Sequence, residues 1–223
     1  MAVNWSTAAL YLARALALLT AIPFHEMAHA WASDRLGDPT AKRCGRLSMN
    51  PLRHFDPLGA LCMILVGFGW AKPVPVAAVQ NFRHPRRDMA LSAAAGPAAN
   101  LLLAYVWMVC YKVVYLFGYN PGSVLWQFVM VVLVTMVQVN LTLAVFNLLP
   151  IPPLDGSRIF NLLLPARWYF RIMKYERYIM FGLFICLFAG VLDRPLSFLF
   201  QNMMTLFDWG TRYIDWLFLL LRT

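Results

Sequence analysis

Four stretches of this chain, roughly Trp5–Trp31, Met89–Phe117, Leu125–Leu149 and Tyr178–Leu192, are apolar over most of their length. A helix needs about 20 such residues to cross a bilayer core about 30 Å thick. The first three have that length, and the fourth is short unless it extends at either end. Only 13% of the 223 residues are charged and 61% are hydrophobic, against about 25% and 45–50% in ordinary soluble domains. So few charges cannot clothe the surface of a soluble fold of this size. An ordinary soluble enzyme and a disordered chain are both excluded. The expected fold class is an all-α polytopic membrane protein, one domain over residues 1–223.

The shorter segments are less regular. Leu58–Trp70 is about 13 residues and suits a re-entrant segment better than a full span. Leu196–Leu221 is interrupted by Asp208, Arg212 and Asp215, and reads equally as a fifth span or an interfacial helix. Asp34–Pro57 carries turn signals and is expected to form turns and short strands. Trp70–Val76 should be extended, because its prolines disfavour helix. No internal repeat is present, and Met1–Trp5 lacks the basic region of a cleavable signal peptide. Cys44, Cys62, Cys110 and Cys186 are isolated and form no CxxC pair, so neither disulfides nor a thiolate zinc site are expected.

The net charge of +9 reports orientation rather than a nucleic-acid partner. Arg35, Lys42, Arg43, Arg46, Arg53, Lys72, Arg83, Arg86 and Arg87 fall between the first two long spans, and Arg158, Arg167, Arg171, Lys174 and Arg177 follow the third. The connection Gly118–Val124 carries no charge. By the positive-inside rule both basic regions face the cytoplasm and the N-terminus lies outside. This arrangement requires Leu58–Trp70 to return to the side it came from.

The chemistry is concentrated near the end of the first span, in Phe24-His25-Glu26-Met27-Ala28-His29-Ala30. Four helical residues advance about 400°, which puts His25 and His29 one turn apart on one face. Two imidazoles so placed can bind one Zn²⁺, and Glu26 between them can serve as general base toward a water. Ionisable groups inside apolar helices are costly and default to function. A zinc site of this kind needs a third protein ligand. Asp155, in Asn147-Leu148-Leu149-Pro150-Ile151-Pro152-Pro153-Leu154-Asp155-Gly156, suits that role or that of an N-cap equally well taken alone. Topology favours the ligand: two crossings separate His25 from Asp155, so both arrive at the same face. The prolines before it also break the helix, which lets the carboxylate turn inward.

These residues resemble the site-2 proteases, the zinc-dependent intramembrane metalloproteases. The resemblance is carried by Ile22 through Ala30, Gly37-Asp38, Gly45-Arg46-Leu47, Asn50-Pro51, Phe68 through Val76, Ala95-Gly96-Pro97-Ala98-Ala99-Asn100 and Asn147 through Gly156. They cover most of residues 20–160 in the family's order. The resemblance implies a site-2-protease-like helical core, with a catalytic part at about 5–165 and C-terminal helices at about 176–221. It implies His25, His29 and Asp155 as ligands of one Zn²⁺, Glu26 as catalytic base, and a transmembrane protein as substrate. A PDZ-like domain, a CBS pair and a helix leading into the HExxH span, found in larger relatives, are not expected here.

The expected location is the cell membrane, among lipids, with an active site opening to the cytoplasm. His25 would lie about 10 Å inside the membrane boundary, so water must reach it through a polar cleft. Asn147 and Asn100 are candidates for stabilising an oxyanion or holding substrate backbone, or equally for satisfying carbonyls released by prolines. Trp70–Val76 is either a rigid crossing or an edge that receives an unwound substrate by β-addition. Arg14 points along the same face as His25, or snorkels to the outer interface. His54 and His84 read as bystanders in polar loops. Two other classes stand against the protease. A silent scaffold binding transmembrane partners should have lost one of the site residues. A metal transporter should carry more acids and histidines along its spans.

Overall fold

The computed structural model describes residues 5–57 and 71–222, and the re-entrant segment expected at Leu58–Trp70 lies outside them. The described chain is helical, with no strand among the described residues. Its principal elements are α1 (Trp5–Arg35), α2 (Thr40–Arg43), α3 (Ala78–Asn81), α4 (Pro85–Phe117), α5 (Val124–Asn147), α6 (Asp155–Phe160), α7 (Ala166–Lys174), α8 (Glu176–Phe188), α9 (Asp193–Gly210) and α10 (Arg212–Arg222). Three of these, α1, α4 and α5, are long and apolar enough to cross a bilayer, matching the first three expected spans. The fourth expected span is only α8, 13 residues long. At about 20 Å it does not reach across a bilayer alone. The final apolar stretch is divided between α9 and α10, which meet at Thr211.

The chain divides into two compact units. The first holds residues 1–21, 100–145 and 194–223. Along α1, Ala13, Ala17 and Ala21 are each fully buried. Their i, i+4, i+8 spacing forms a stripe of small side chains that permits close helix packing. Ala104, Leu141 and Val145 form the core, against which Leu196, Phe200, Met203, Met204 and Phe207 pack. Buried polar groups are set in this apolar unit. Asn100 Nδ2 donates to Asn140 Oδ1 at 3.0 Å, and Asn140 Nδ2 donates to the Met136 carbonyl at 2.8 Å. Lys112, 7% exposed, pairs with Asp208 at 2.9 Å and Asp215 at 2.6 Å. A buried cation is tolerated in such a place when carboxylates face it.

The second unit holds residues 22–99 and 146–193. Here the expected short strands of Asp34–Pro57 are replaced by α2, a 3₁₀ turn at Pro51–Arg53 and tight turns. Positive φ angles at Gly37 (107°) and Gly45 (69°) allow those turns. Side chains and isolated backbone contacts, rather than a strand ladder, satisfy the backbone. Asp38 is fully buried and accepts from Ala77 N at 2.6 Å, Asn81 Nδ2 at 2.7 Å, and both Thr40 N and Thr40 Oγ1. Arg46 donates to the carbonyls of Arg53 and Pro73, and Lys72 N donates to the His54 carbonyl. Residues 71–77 are non-helical, as expected. Their groups at Lys72, Pro73 and Ala77 are committed inside the unit, which favours a rigid crossing over a receptive edge. His54, expected in a polar loop, is buried at 1% exposure and donates from Nε2 to the Ser48 carbonyl at 2.7 Å.

Burial alone would raise the pKa of Asp38, but its hydrogen bonds outweigh burial and hold the carboxyl below its usual value. A depressed folded-state pKa contributes stability that is present above the unfolded value, about 3.9, and lost as pH falls through the folded one. Thermal stability of the wild type is therefore expected to fall below pH ~4 more steeply than that of Asp38→Asn. At neutral pH, Asp38→Ala should destabilise by about 1–3 kcal/mol, because it leaves buried donors at Ala77 and Asn81 unpaired. Thermal unfolding of the two variants across pH 3–7 checks both expectations.

Candidate metal centre

The C-terminal part of α1 remains helical through Pro23, so His25 and His29 keep the one-turn register their spacing demands. Both are buried, at 7% and 8% exposure. Their Nε2 atoms lie 3.0 Å apart. Asp155 stands at the first residue of α6, after the proline-rich turn, and its Oδ2 lies 3.2 Å from each Nε2. Four-coordinate zinc with bonds of about 2.0–2.2 Å sets ligand atoms roughly 3.3–3.6 Å apart. A triangle with sides of 3.0, 3.2 and 3.2 Å is close to that spacing.

The hydrogen-bond geometry suits a cation. His29 Nδ1 is 2.8 Å from the Ser92 carbonyl, which can only accept, so Nδ1 carries the hydrogen. In the neutral ring Nε2 then presents a lone pair toward Asp155. Such a hydrogen bond fixes the tautomer and ring orientation of a metal-ligating imidazole. Oδ2 of Asp155 is buried, makes no hydrogen bond among the described residues, and faces the two imidazole nitrogens. Buried acceptors converging in this way are stabilised by a positive ion. The three residues are also the group of metal-ligating side chains found close together among the described residues.

Two glycines make room for this arrangement. A Cβ at Gly96 on α4 would collide with Nε2 of His29 and lie 2.7 Å from Cε1 of His25. A Cβ at Gly156 would collide with the backbone of Leu148 and Leu149, so Gly156 lets the turn carrying Asp155 close against the end of α5. Ser92, one turn before Gly96, also bonds through Oγ to Ser33 Oγ at 2.7 Å.

Other expected residues fall as follows. Glu26 is half-buried beside His25. Asn147 is the last residue of α5 and half-buried in the same unit as the triad. Asn100 is fully buried in the other unit, where its amide is engaged with Asn140 and reaches the Ala21 carbonyl at 3.4 Å. Arg14 is exposed, and so is His84. Sequence reasoning did not single out Ser92, Gly96 or Gly156 as supports of the site. The run Ser92 to Pro97 of small residues was the available signal for close approach by α4, but not for which groups it approaches.

Comparison with known proteins follows the same line. The model of peptidase family M50 matches residues 13–189. YwhC of Bacillus subtilis (strain 168), whose name proposes a zinc metalloprotease, is 39% identical over 180 residues, covering 78% of each chain. Rip2 of Mycolicibacterium smegmatis, named in the same way, is 33% identical over 141 residues, or 62% of this chain and 52% of its own. MJ0611 of Methanocaldococcus jannaschii, again so named, is 30% identical over 104 residues, or 47% of this chain and 49% of its own. The match thus spans about half the length of Rip2 and MJ0611. No solved structure matches the chain.

Proposed function

Because the chain belongs to peptidase family M50, the site-2 protease family, we propose that it is an intramembrane zinc endopeptidase that cuts membrane proteins within or near their transmembrane segments. The observation that carries this reading is the buried triangle of His25, His29 and Asp155, whose spacing suits one Zn²⁺. His25 and His29 would hold the metal through Nε2 and Asp155 through Oδ2, one ion per chain. When bound, zinc supplies Lewis acidity toward the scissile carbonyl and lowers the pKa of water. Glu26 accepts the proton of the attacking water and returns it to the leaving amine nitrogen. The Ser92 carbonyl keeps the His29 ring in its orientation through this cycle. Asn147, the last residue of α5, and Asn100 are the candidates to hold substrate backbone or an oxyanion, with Asn147 preferred for its place in the Asn147–Gly156 motif.

The substrate is a transmembrane helix of another protein, which must unwind to expose its carbonyls. The protein sits in the cell membrane with both basic regions in the cytoplasm, the N-terminus outside and the site opening inward. Its cuts would then serve regulated intramembrane proteolysis. A silent scaffold does not account for an intact Glu26 beside an intact ligand set.

The test is metal content together with membrane proteomics. Purified protein is expected to hold about one zinc per chain. Asp155→Ala should lose it, and cells carrying that variant should lack the transmembrane fragments that wild-type cells produce. Zinc content unaffected by Asp155→Ala would remove that residue from the ligand set.

A further inference from the structure

In the second unit a small cleft of about 10 Å³ is lined by Arg86, Met89, Arg158, Asn161, Leu162 and Tyr169. That is room for roughly one water-sized atom. Its polar lining is rich in donors. Asn161 is 5% exposed, and its buried Nδ2 makes no hydrogen bond among the described residues. Among the described residues Arg158 makes one long contact, 3.4 Å from Nη2 to Glu176 Oε1, against the five donors of a guanidinium. Arg86 Nη2 donates to the carbonyls of Asn161 and Leu164, which fixes the turn that carries Asn161, and its guanidinium lies 5.9 Å over the Tyr169 ring. Two arginines, Arg86 held on carbonyls and Arg158 with donors to spare, and an asparagine whose buried amide N–H is unpaired line one small space, a setting that suits a negatively charged oxygen acceptor.

The surroundings indicate its source. Next in the chain is α7, which exposes Arg167, Trp168, Arg171 and Lys174. Arg171 stacks 4.9 Å over the Trp168 ring. Exposed cations interleaved with aromatics are the composition of a helix lying at a lipid–water interface, where anionic headgroups gather. We propose that this cleft is a binding site for a phosphate oxyanion, supplied by the headgroup of an anionic phospholipid. One phosphate oxygen enters the cleft toward Asn161, and the rest of the headgroup lies at its mouth, within reach of Arg158 and the basic face of α7. The site would anchor the loop after α6 to the membrane surface, and it does not depend on the protease reading.

The test uses the full chain in a neutral maltoside detergent, titrated calorimetrically with short-chain phosphatidylglycerol, short-chain phosphatidylcholine and inorganic phosphate. Phosphatidylglycerol is expected to bind about tenfold or more tighter than phosphatidylcholine, because the two share the phosphodiester but the choline cation of the latter is repelled by Arg86, Arg158 and the basic face of α7. Asn161→Asp, which nearly preserves shape but puts an acceptor in place of the donor, and Arg158→Gln should each weaken that binding by about tenfold or more at unchanged zinc content. Weaker binding of inorganic phosphate, lost in the same variants, assigns the site to the lipid. Equal binding assigns the same oxyanion site to free phosphate. Indifference to both substitutions, or equal binding of the two lipids, overturns the proposal.

Discussion

Glu26→Gln is expected to keep zinc at the wild-type level while slowing cleavage of a transmembrane substrate by about 10²–10⁴-fold, the usual contribution of a positioned general base. Glu26 lies between His25 and His29 in sequence, and its carboxylate is not one of the three groups that converge on the metal position. Glutamine matches it in length and shape, so a half-buried side chain can be exchanged without disturbing α1. The hydrogen bond from His29 Nδ1 to the Ser92 carbonyl is also untouched. What is lost is a carboxylate able to take a proton from water and return it to the leaving nitrogen. Elemental analysis of purified protein, paired with cleavage in reconstituted vesicles, separates the two properties. Proteolysis at wild-type rate in Glu26→Gln would end the mechanism, whereas loss of zinc would make Glu26 part of the metal's own support.

Most of the candidate site was legible because its information is local or follows from topology. The i, i+4 spacing of His25 and His29 fixes a shared helix face wherever the helix is placed. Asp155 needed only parity of membrane crossings to be assigned to the same side. What remained hidden depends on which atoms of one helix meet another. The Ser92 carbonyl is a backbone group, so no residue type marks it, and Gly96 has no side chain to advertise its closeness to two imidazoles. The partner of Asn100 was hidden for the same reason: its amide is bound to Asn140, a residue deep in an apolar helix that periodicity alone would have passed over. The expected strands of Asp34–Pro57 failed because turn residues were read as hairpin punctuation. In the structure Asp38 and Arg46 take over the backbone pairing that a ladder would have supplied. Helix lengths were read well where apolar runs were long; the C-terminal helices expected at about 176–221 lie at Glu176–Arg222, but the break between α8 and α9 was not legible because the apolar run continues past Phe188.

Gly96→Ala is expected to lower zinc affinity by about 10–100-fold, although Gly96 has no ligand atom. A methyl there would overlap Nε2 of His29, lie 2.5 Å from its Cε1 and 2.7 Å from Cε1 of His25. Both imidazoles would have to turn or α4 would have to retreat. Turning breaks the 3.0 Å and 3.2 Å triangle, and retreat lengthens the 2.8 Å hydrogen bond that orients His29. Neither course leaves the ligand set intact. The substitution is not expected to unfold α4, because alanine favours helix over glycine by about 1 kcal/mol. Metal loss and loss of helix are therefore separable, by chelator competition for the first and circular dichroism for the second. Ser92→Ala is the informative control. It removes the 2.7 Å contact with Ser33 but keeps the carbonyl that His29 uses, so zinc affinity should stay within about threefold of wild type. If Gly96→Ala holds zinc equally well, the imidazoles do not stand against α4 as described, and the close approach of that backbone has no part in forming the site.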